Sequence, residues 1–176
     1  MGRQALIVVD MLNDFMSPDG ALFCGGESRR IITVVRTLLE EHRNKDSLIV
    51  FVQDSHKPDD KEFALFPPHC LAGTWGSEVI SELAPVHGEL LLPKTRYSAF
   101  FGTDLESILA TACVEGVHLC GVCTSICVMD TCSDLRNRDY AVVLHVDGVA
   151  DFDLEAHKFA IKRMKNILGA ELVQAI

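Results

Sequence analysis

Residues 117–137 read VHLCGVCTSICVMDTCSDLRN. An apolar run at 117–120 leads through a turn into residues 125–137, where apolar side chains recur at helical spacing. A strand followed directly by a helix is the building unit of α/β proteins. The same alternation recurs on both sides of this segment and predicts an α/β fold for the chain.

Six apolar runs predict strands, and four amphipathic segments predict helices. The predicted strands are residues 5–9, 48–52, 89–92, 117–120, 141–146 and 171–173, and the predicted helices are 28–42, 104–112, 125–137 and 153–167. Because most runs are continuously apolar rather than alternating, we expect a sheet that is covered on both faces. The prediction is a single doubly wound domain over residues 1–176, with a mostly parallel six-stranded sheet and helices on both faces.

Several predicted helices begin with residues that favour the N-cap position, because their side-chain oxygens can accept from free backbone N–H groups. The candidates are Ser28, Thr103 or Asp104, Ser125 and Asp153. A long segment, residues 55–84, has no clear periodicity and is rich in proline, histidine, glycine and aromatic residues. Long loops of this kind are usually functional or disordered, and the apolar residues Phe66 and Trp75 favour an ordered one.

Composition and charge exclude several classes of function. The net charge of −9 with no basic cluster argues against a nucleic-acid partner. No stretch approaches the roughly 20 apolar residues of a membrane span, and the N-terminal run is too short for a signal peptide. We therefore expect no membrane partner and a cytoplasmic location. The seven cysteines are expected to be reduced thiols, since their number is odd and no export signal precedes them.

Chemically reactive residues follow the first four predicted strands. The first strand is followed by Asp10, the second by Asp54 and His56, the third by Lys94, and the fourth by a turn that leads to Cys127. Open α/β sheets bind ligands beyond the carboxyl ends of their strands, so these side chains are expected to share one site. Taken singly, each of these residues has an ordinary alternative role: Asp10 as a turn residue, Lys94 as a solvated loop residue and Cys127 as a core residue.

Cys127 is the candidate nucleophile. It is expected in the first turn of the helix after the fourth strand, where the helix dipole and free N–H groups stabilise a thiolate. The same N–H groups can hold the oxyanion that develops when a carbonyl is attacked. A buried core cysteine is the alternative, and it suits Cys113, Cys120 and Cys132 better than a residue at a strand-to-helix turn.

Five ordered segments carry a family resemblance that covers nearly the whole chain. They are VVDMLNDF at residues 8–15, QDSH at 53–56, FPPHCLAGTWG at 66–76, KTRYSAF at 94–100 and GVCTSIC at 121–127. Together they resemble the motifs of the nicotinamidase/isochorismatase-like cysteine hydrolases, including the pyrazinamidases. The resemblance implies an enzyme of NAD salvage that converts nicotinamide to nicotinate and ammonia through a thioester.

The resemblance also implies a catalytic triad of Asp10, Lys94 and Cys127. It implies that the backbone N–H groups of Cys123 and Cys127 form the oxyanion hole, next to a cis peptide between Val122 and Cys123. Cys123 stands where the family often has alanine, which places a second thiol beside the site. Relatives often form dimers or larger assemblies, so a homo-oligomer is expected. The expected substrate is a small carboxamide.

One departure from the family pattern concerns Ser125, which stands where relatives often have aspartate; it removes no catalytic group. The aromatic side chains Phe15, Phe66, Tyr97 and Phe101 are implied to form the walls of a pocket for a small planar ring, because aromatic faces stack on flat heterocycles. Each of them is also a candidate core residue. Phe66 is the preferred pocket residue, since it lies between the long loop and the histidine motif.

A metal centre is the other implied feature. Asp54 and His56 are two residues apart at a strand end, and His69 comes from the long loop. Relatives often supply a further histidine where this chain has residues 57–62, KPDDKE. Of the acids there, Asp59, Asp60 and Glu62, we favour Glu62 as the fourth ligand. Two imidazoles with carboxylates suit one divalent transition metal, zinc first and manganese or iron as alternatives.

Other functions remain open at this point. Another small amide, or a ureido or carbamoyl compound, is the alternative substrate within the same family. A different class is a redox protein, because Cys120 and Cys123 form a C-x-x-C motif after a strand. A non-catalytic partner-binding domain would leave the acid, lysine and cysteine set unexplained. A structural zinc site would require a second C-x-x-C pair, which the sequence lacks.

Overall fold

A computed structural model describes residues 2–175, and its centre is one parallel sheet. The sheet has six strands in the order β3-β2-β1-β4-β5-β6, and every neighbouring pair is parallel. The strands are β1 (Arg3–Val9), β2 (Leu48–Asp54), β3 (Leu90–Lys94), β4 (Val114–Val122), β5 (Ala141–Ala150) and β6 (Glu171–Val173). The predicted α/β class and six-stranded sheet are confirmed, with a sheet that is entirely rather than mostly parallel.

Helices cover both faces of the sheet, as predicted. The α-helices are α1 (Asn13–Met16), α2 (Ile31–Asn44), α3 (Leu105–Thr111), α4 (Met129–Arg136) and α5 (Leu154–Asn166). One apolar cluster joins the sheet to α1 and α2, and a second joins it to α3, α4 and α5. Residues 5–9 of β1 are at most 1% exposed because each face of that strand packs against one of these clusters.

The strand order reverses direction on either side of β1. The chain moves outward from β1 through β2 to β3, then returns to the other side of β1 and moves outward through β4, β5 and β6. Helical connections leave the sheet on opposite faces at such a point, which opens a crevice at the carboxyl ends of the central strands. This crevice lies between the ends of β1 and β4.

Gly121 allows β4 to lie close to β1 at the edge of this crevice. Its φ of +114° lies in the left-handed region, where a side chain would strain the backbone. A Cβ atom at this position would also stand 2.0 Å from the carbonyl oxygen of Val9. A glycine is therefore required where the fourth strand turns into the segment that carries the cysteines.

The helix starts differ in part from those predicted. Asp153 caps α5 as expected, accepting from the N–H groups of Glu155 and Ala156. Ser125 is not a cap, because it lies inside a π-helical turn, Thr124–Val128, that precedes α4. Ser28 lies within a 3₁₀ segment, Gly26–Arg30, instead of capping the long helix. Asp104 occupies the N-cap of α3 without a side-chain bond, and Thr103 Oγ1 accepts from Leu105 N at 3.3 Å instead.

The long segment at residues 55–84 is ordered, as its apolar residues predicted. It contains short 3₁₀ segments, Lys61–Ala64, Trp75–Ser77 and Ser81–Leu83, and it folds back onto the edge of the crevice. A parallel bridge between His56 and Leu71 fixes its start beside its middle. Across the part of the chain that the structure describes, no helix is both long enough and apolar enough to cross a membrane.

Candidate active site and metal centre

Asp10, Lys94 and Cys127 meet at the crevice, as the strand ends predicted. Lys94 Nζ lies 2.9 Å from Asp10 Oδ2 and 3.4 Å from Cys127 Sγ. Ligand atoms of Asp10, Asp54 and Cys127 lie within 4.8 Å of one another. The side chain of Lys94 is fully buried, so its charge interacts with these groups without screening by water. An acid, a base and a thiol are therefore in mutual contact.

The electrostatics of this group are set by burial and by one cation. Burial and the charge of Asp54 raise the pKa of Asp10 to about 7, against the opposing effect of Lys94. Burial likewise raises the pKa of the Cys127 thiol, against the opposing effect of Lys94. Burial alone would lower the pKa of Lys94, but the charges of Asp10, Cys127 and Asp54 raise it. Lys94 therefore supplies the positive charge that balances the negative charges of this group.

Cys127 lies on the π-helical turn rather than in the first turn of a regular α-helix, which corrects the expectation from the sequence. Within this turn Val128 N donates to Cys123 O at 3.2 Å, the wider spacing of a π-turn. The turn is held from outside by Asp151, whose Oδ2 accepts from Ser125 N at 2.7 Å. The peptide bond between Val122 and Cys123 is cis, as the family resemblance implied.

Four predicted metal ligands converge beside this group. Asp54 Oδ2 lies 3.7 Å from His56 Nε2 and 3.9 Å from His69 Nε2. Glu62 Oε1 lies 3.8 Å from His69 Nε2, which places the favoured fourth ligand beside this histidine. Two ligands on one metal, each at about 2.1 Å, are about 3.4 Å apart in a tetrahedral site. Asp54, His56 and His69 therefore surround a space that suits a transition metal, and Glu62 lies next to His69.

The histidines are held so that both Nε2 atoms face this space. His56 Nδ1 is 3.1 Å from Asp60 Oδ2, and His69 Nδ1 is 2.8 Å from the carbonyl oxygen of Pro67. Asp60 also pairs with Arg96, so it orients His56 instead of acting as a ligand. Among residues 2–175, the buried Nε2 of His56 has no hydrogen-bond partner. A buried nitrogen without a partner fits a metal ligand, and the residues present therefore fit the implied metal.

Asp54 joins the metal centre to the triad. Its Oδ2 faces the two histidines, while its Oδ1 accepts a hydrogen bond from Lys94 Nζ. Its backbone N–H donates to Asp10 Oδ1 at 2.9 Å. Burial opposes its ionisation, yet Lys94 and His56 lower its pKa below the ordinary value. Asp54 therefore carries a negative charge between the two parts of the site.

A cavity of about 380 Å³ opens above Cys127. Its lining includes three of the predicted aromatic walls, Phe15, Phe66 and Tyr97, together with the site residues Asp10, Asp54, Glu62, His69, Cys123 and Cys127. The prediction for Phe101 is wrong, because its side chain is 62% exposed and does not line this cavity. Its position in a surface turn after the lysine motif directs the ring outward.

Other residues that line this cavity were not predicted from the sequence. They are Ala21, Leu22, Phe23 and Cys24 from the loop after α1, Ile126 from the π-turn, and Phe152 after β5. Phe63, whose ring centroid lies 5.5 Å from those of both His56 and His69, was not predicted either. A local signal existed only for Phe63, which lies next to the favoured ligand Glu62 in the long loop.

The C-x-x-C motif does not form a pair of facing thiols. Cys120 is fully buried in the sheet core, and its Sγ lies 3.9 Å from the carbonyl oxygen of Ile7. Cys123 instead faces Cys24, with 3.5 Å between the two sulfur atoms, at the wall of the cavity. All seven cysteines lie in the described region and are free thiols. The redox interpretation of Cys120 and Cys123 is therefore wrong.

Comparison with known proteins gives one family. A family model described as the Isochorismatase domain matches residues 4–175. The crystal structure of the nicotinamidase/pyrazinamidase PncA from Bacillus subtilis is 38% identical, with a TM-score of 0.93, and the match covers 98% of this chain and 100% of that one. The chain is therefore similar to an enzyme of known structure over nearly its whole length.

Two further solved structures bear on the metal and the substrate. The pyrazinamidase of Pyrococcus horikoshii, crystallised in complex with zinc, is 34% identical with a TM-score of 0.91, covering 98% of this chain and 99% of that one. The N-carbamoylsarcosine amidase from Thermoplasma acidophilum is also 34% identical, with a TM-score of 0.90, covering 98% of this chain and 96% of that one. These similar structures include enzymes of more than one amide class.

Proposed function

The chain belongs to the isochorismatase family, and we propose that it is a nicotinamidase, a cysteine hydrolase that converts nicotinamide to nicotinate and ammonia. The observation that carries this proposal is the contact of Asp10, Lys94 and Cys127 beneath an aromatic cavity. Three mutually close metal-type ligands lie beside this contact, with Glu62 next to one of them. The similarity to solved nicotinamidase/pyrazinamidase enzymes supports the same reaction.

The first step is attack by the thiol. Asp10 accepts the proton of Cys127, and the sulfur bonds to the amide carbon while the C=O electron pair moves to oxygen. Lys94 Nζ, 3.4 Å from the sulfur, stabilises the thiolate during this transfer. The backbone N–H groups of Cys123 and Cys127 are proposed to hold the oxyanion, whose charge is best stabilised by fixed donors.

The second step releases ammonia. When the oxyanion collapses, the C–N bond breaks, and the departing nitrogen takes the proton that Asp10 has held. The acyl group then remains on Cys127 as a thioester. Asp10 removes a proton from water, which attacks the thioester carbon, and the C–S bond breaks as the sulfur regains a proton. Asp10 returns to its starting state, so one carboxylate serves both steps.

Asp54, His56, His69 and Glu62 would hold a divalent transition metal, with zinc proposed first because of the donor set and the zinc-bound relative. When bound, the metal supplies a Lewis-acidic position for a water or for the ring nitrogen of the substrate. The neighbouring rings of Phe15 and Phe66 lie 5.7 Å and 6.3 Å from the His69 ring. They restrict the cavity to a flat ring and so orient the carboxamide toward Cys127.

A ureido or carbamoyl compound is the second candidate substrate. It is supported by the similarity to N-carbamoylsarcosine amidase, at the same identity as the zinc-bound pyrazinamidase. The apolar walls of this cavity favour the ring instead, because Phe15, Leu22, Phe23 and Phe66 offer no partner for a carboxylate-bearing acyclic substrate. A cytoplasmic location and a homo-oligomeric state stay predictions.

The test is ammonia release from four compounds, with the acid products identified by mass spectrometry. Nicotinamide and pyrazinamide should be hydrolysed, while benzamide, which lacks a ring nitrogen, should lose at least about tenfold in kcat/KM. N-carbamoylsarcosine should be hydrolysed slowly or not at all. The matched variants are Cys127→Ala, which should abolish turnover, and Cys132→Ala, a buried core thiol whose loss should leave turnover intact. A preference for N-carbamoylsarcosine over nicotinamide would refute the proposed substrate.

A further inference from the structure

Three histidines converge between α2 and the sheet, away from the candidate active site. His42 lies in the last turn of α2, His118 lies on β4, and His145 lies on β5. The register partner of His118 on β1 is Leu6, four residues before Asp10, which corresponds to about 13 Å along the strand. This histidine cluster is therefore separate from the residues that hold the proposed substrate and metal.

The ring nitrogens of the histidine cluster are close enough to bind one ion. One nitrogen from each ring lies within 4.8 Å of the others. His118 Nδ1 and His145 Nε2 are 2.9 Å apart, and the centroids of the His42 and His118 rings are 4.6 Å apart. Two nitrogens on a tetrahedral zinc are about 3.3 Å apart, so only a small opening of the first pair is needed.

The surroundings fix the rings but leave nitrogens free. Ser47 Oγ lies 3.0 Å from His42 Nδ1, which leaves Nε2 of that ring for another partner. His42 is 3% exposed and His145 is 6% exposed. Within the described residues, His145 Nδ1 is buried and has no hydrogen-bond partner. His118 Nδ1 and His145 Nε2, which face each other, are the nitrogens through which these two rings would bind an ion.

A cavity of about 580 Å³ reaches all three rings. Its lining also includes the acidic residues Glu41 and Asp46 and the basic residues Arg3 and Lys45. His118 is only half-buried, which gives an ion a path to the ring nitrogens. The remaining positions around a bound ion would be open to water.

We propose that His42, His118 and His145 form a second binding site for a divalent transition metal, which would tie α2 to β4 and β5. Imidazole donors favour zinc, cobalt, nickel or copper over magnesium or calcium. The ion would take the place of the hydrogen that His118 and His145 share. The ring that donates this hydrogen moves its proton to its other nitrogen, and the accepting ring already carries its proton there, so the pair loses no proton. This proposal does not rest on the proposed enzymatic function.

The protonation of the cluster supports the geometry. Burial, followed by the proximity of the other rings, lowers the pKa of His42 to about 3 and of His145 to about 4. Metal ligands must be neutral imidazoles, and these rings meet that condition at neutral pH. Lys45 opposes a cation, but its side chain is 67% exposed and pairs with Glu41 at 3.5 Å. Its charge therefore weakens the binding of a cation without blocking the site.

The experiment is a titration of the full chain, stripped of metal, with Co²⁺, followed by absorption spectroscopy and by calorimetry. The wild type should bind two equivalents. His118→Gln should weaken one of the two by at least about 100-fold, since lost ligands cost no less than lost outer partners. His56→Ala should remove the other equivalent, and His87→Gln, a change at an exposed histidine outside both sites, should change neither.

A surface variant should raise the Co²⁺ affinity of the same site instead of lowering it. Lys45→Gln removes a repelling charge from the cavity lining without touching the core, so it should tighten the second equivalent severalfold. One Co²⁺ per wild-type chain, bound with equal affinity in His118→Gln, would overturn the proposal. If His118→Gln does not fold, the absence of Co²⁺ binding by His56→Ala, which keeps all three histidines of the cluster, would overturn it as well. The rate of hydrolysis by His118→Gln should match that of the wild type. A loss of the second metal site is thereby distinguished from a failure of the proposed enzymatic function.

Discussion

Replacing Lys94 by methionine removes the central charge of the site while keeping most of the side-chain volume. The ammonium group of Lys94 is fully buried, 2.9 Å from Asp10 Oδ2 and in contact with Asp54 Oδ1. Removing one partner of a buried ion pair leaves the other charges without compensation, which costs about 3–5 kcal/mol. For a chain of this size, the corresponding loss in Tm is about 6–20 °C.

The assay is urea unfolding followed by circular dichroism, in chelator so that no metal near Asp54 offsets the lost charge. The matched control is Lys158→Met, the same substitution at a lysine that is 59% exposed and pairs with the exposed Glu155, where the change should stay within about 0.5 kcal/mol. Adding Asp10→Asn to Lys94→Met should recover about 0.5–3 kcal/mol relative to the sum of the single changes. A loss below about 1 kcal/mol, or additive effects, would refute this account of the ion pairs.

Three further predictions concern the cavity and the metal. Phe66→Ala should raise KM for nicotinamide at least about tenfold because a stacking wall is lost. Phe101→Ala, which changes an exposed ring outside the cavity, should leave KM unchanged. Equal effects of the two substitutions would contradict the assigned lining of the cavity. His69→Ala should lower the metal content measured by mass spectrometry and raise KM, and full metal retention would exclude it as a ligand. Diamide should oxidise Cys24 and Cys123, whose sulfurs are 3.5 Å apart, to a disulfide that peptide mapping detects, and this should slow the enzyme. Cys24→Ser should keep its activity in diamide. Wild-type turnover that survives complete disulfide formation would contradict the prediction.

Much of the fold and the reacting groups could be predicted from the sequence because the sheet is parallel. In such a sheet the carboxyl ends of all strands meet at one edge, so Asp10, Asp54 and Lys94 had to lie close together once their strands were recognised. The ligands His69 and Glu62 depended on the resemblance, since nothing in the loop pattern alone fixes where its side chains point.

Contacts between distant segments could not be predicted. Cys24 and Cys123 are 99 residues apart, and no local pattern indicates that the loop after α1 covers the cavity. The error for Phe101 has a related cause, because an aromatic residue near a motif has no direction until the turn that carries it is known. His42, His118 and His145 each fit an ordinary helix or strand position, and only the packing of α2 on β4 and β5 brings them together.

The most direct test of the central claim is acid quenching of the enzyme during turnover of nicotinamide, followed by peptide mass spectrometry. We expect a nicotinoyl group on the peptide that contains Cys127, attached to that sulfur and absent from Cys123. Cys127→Ala should give neither adduct nor ammonia. A nicotinoyl group on Cys123, or continued ammonia release by Cys127→Ala, would contradict the assignment of the nucleophile.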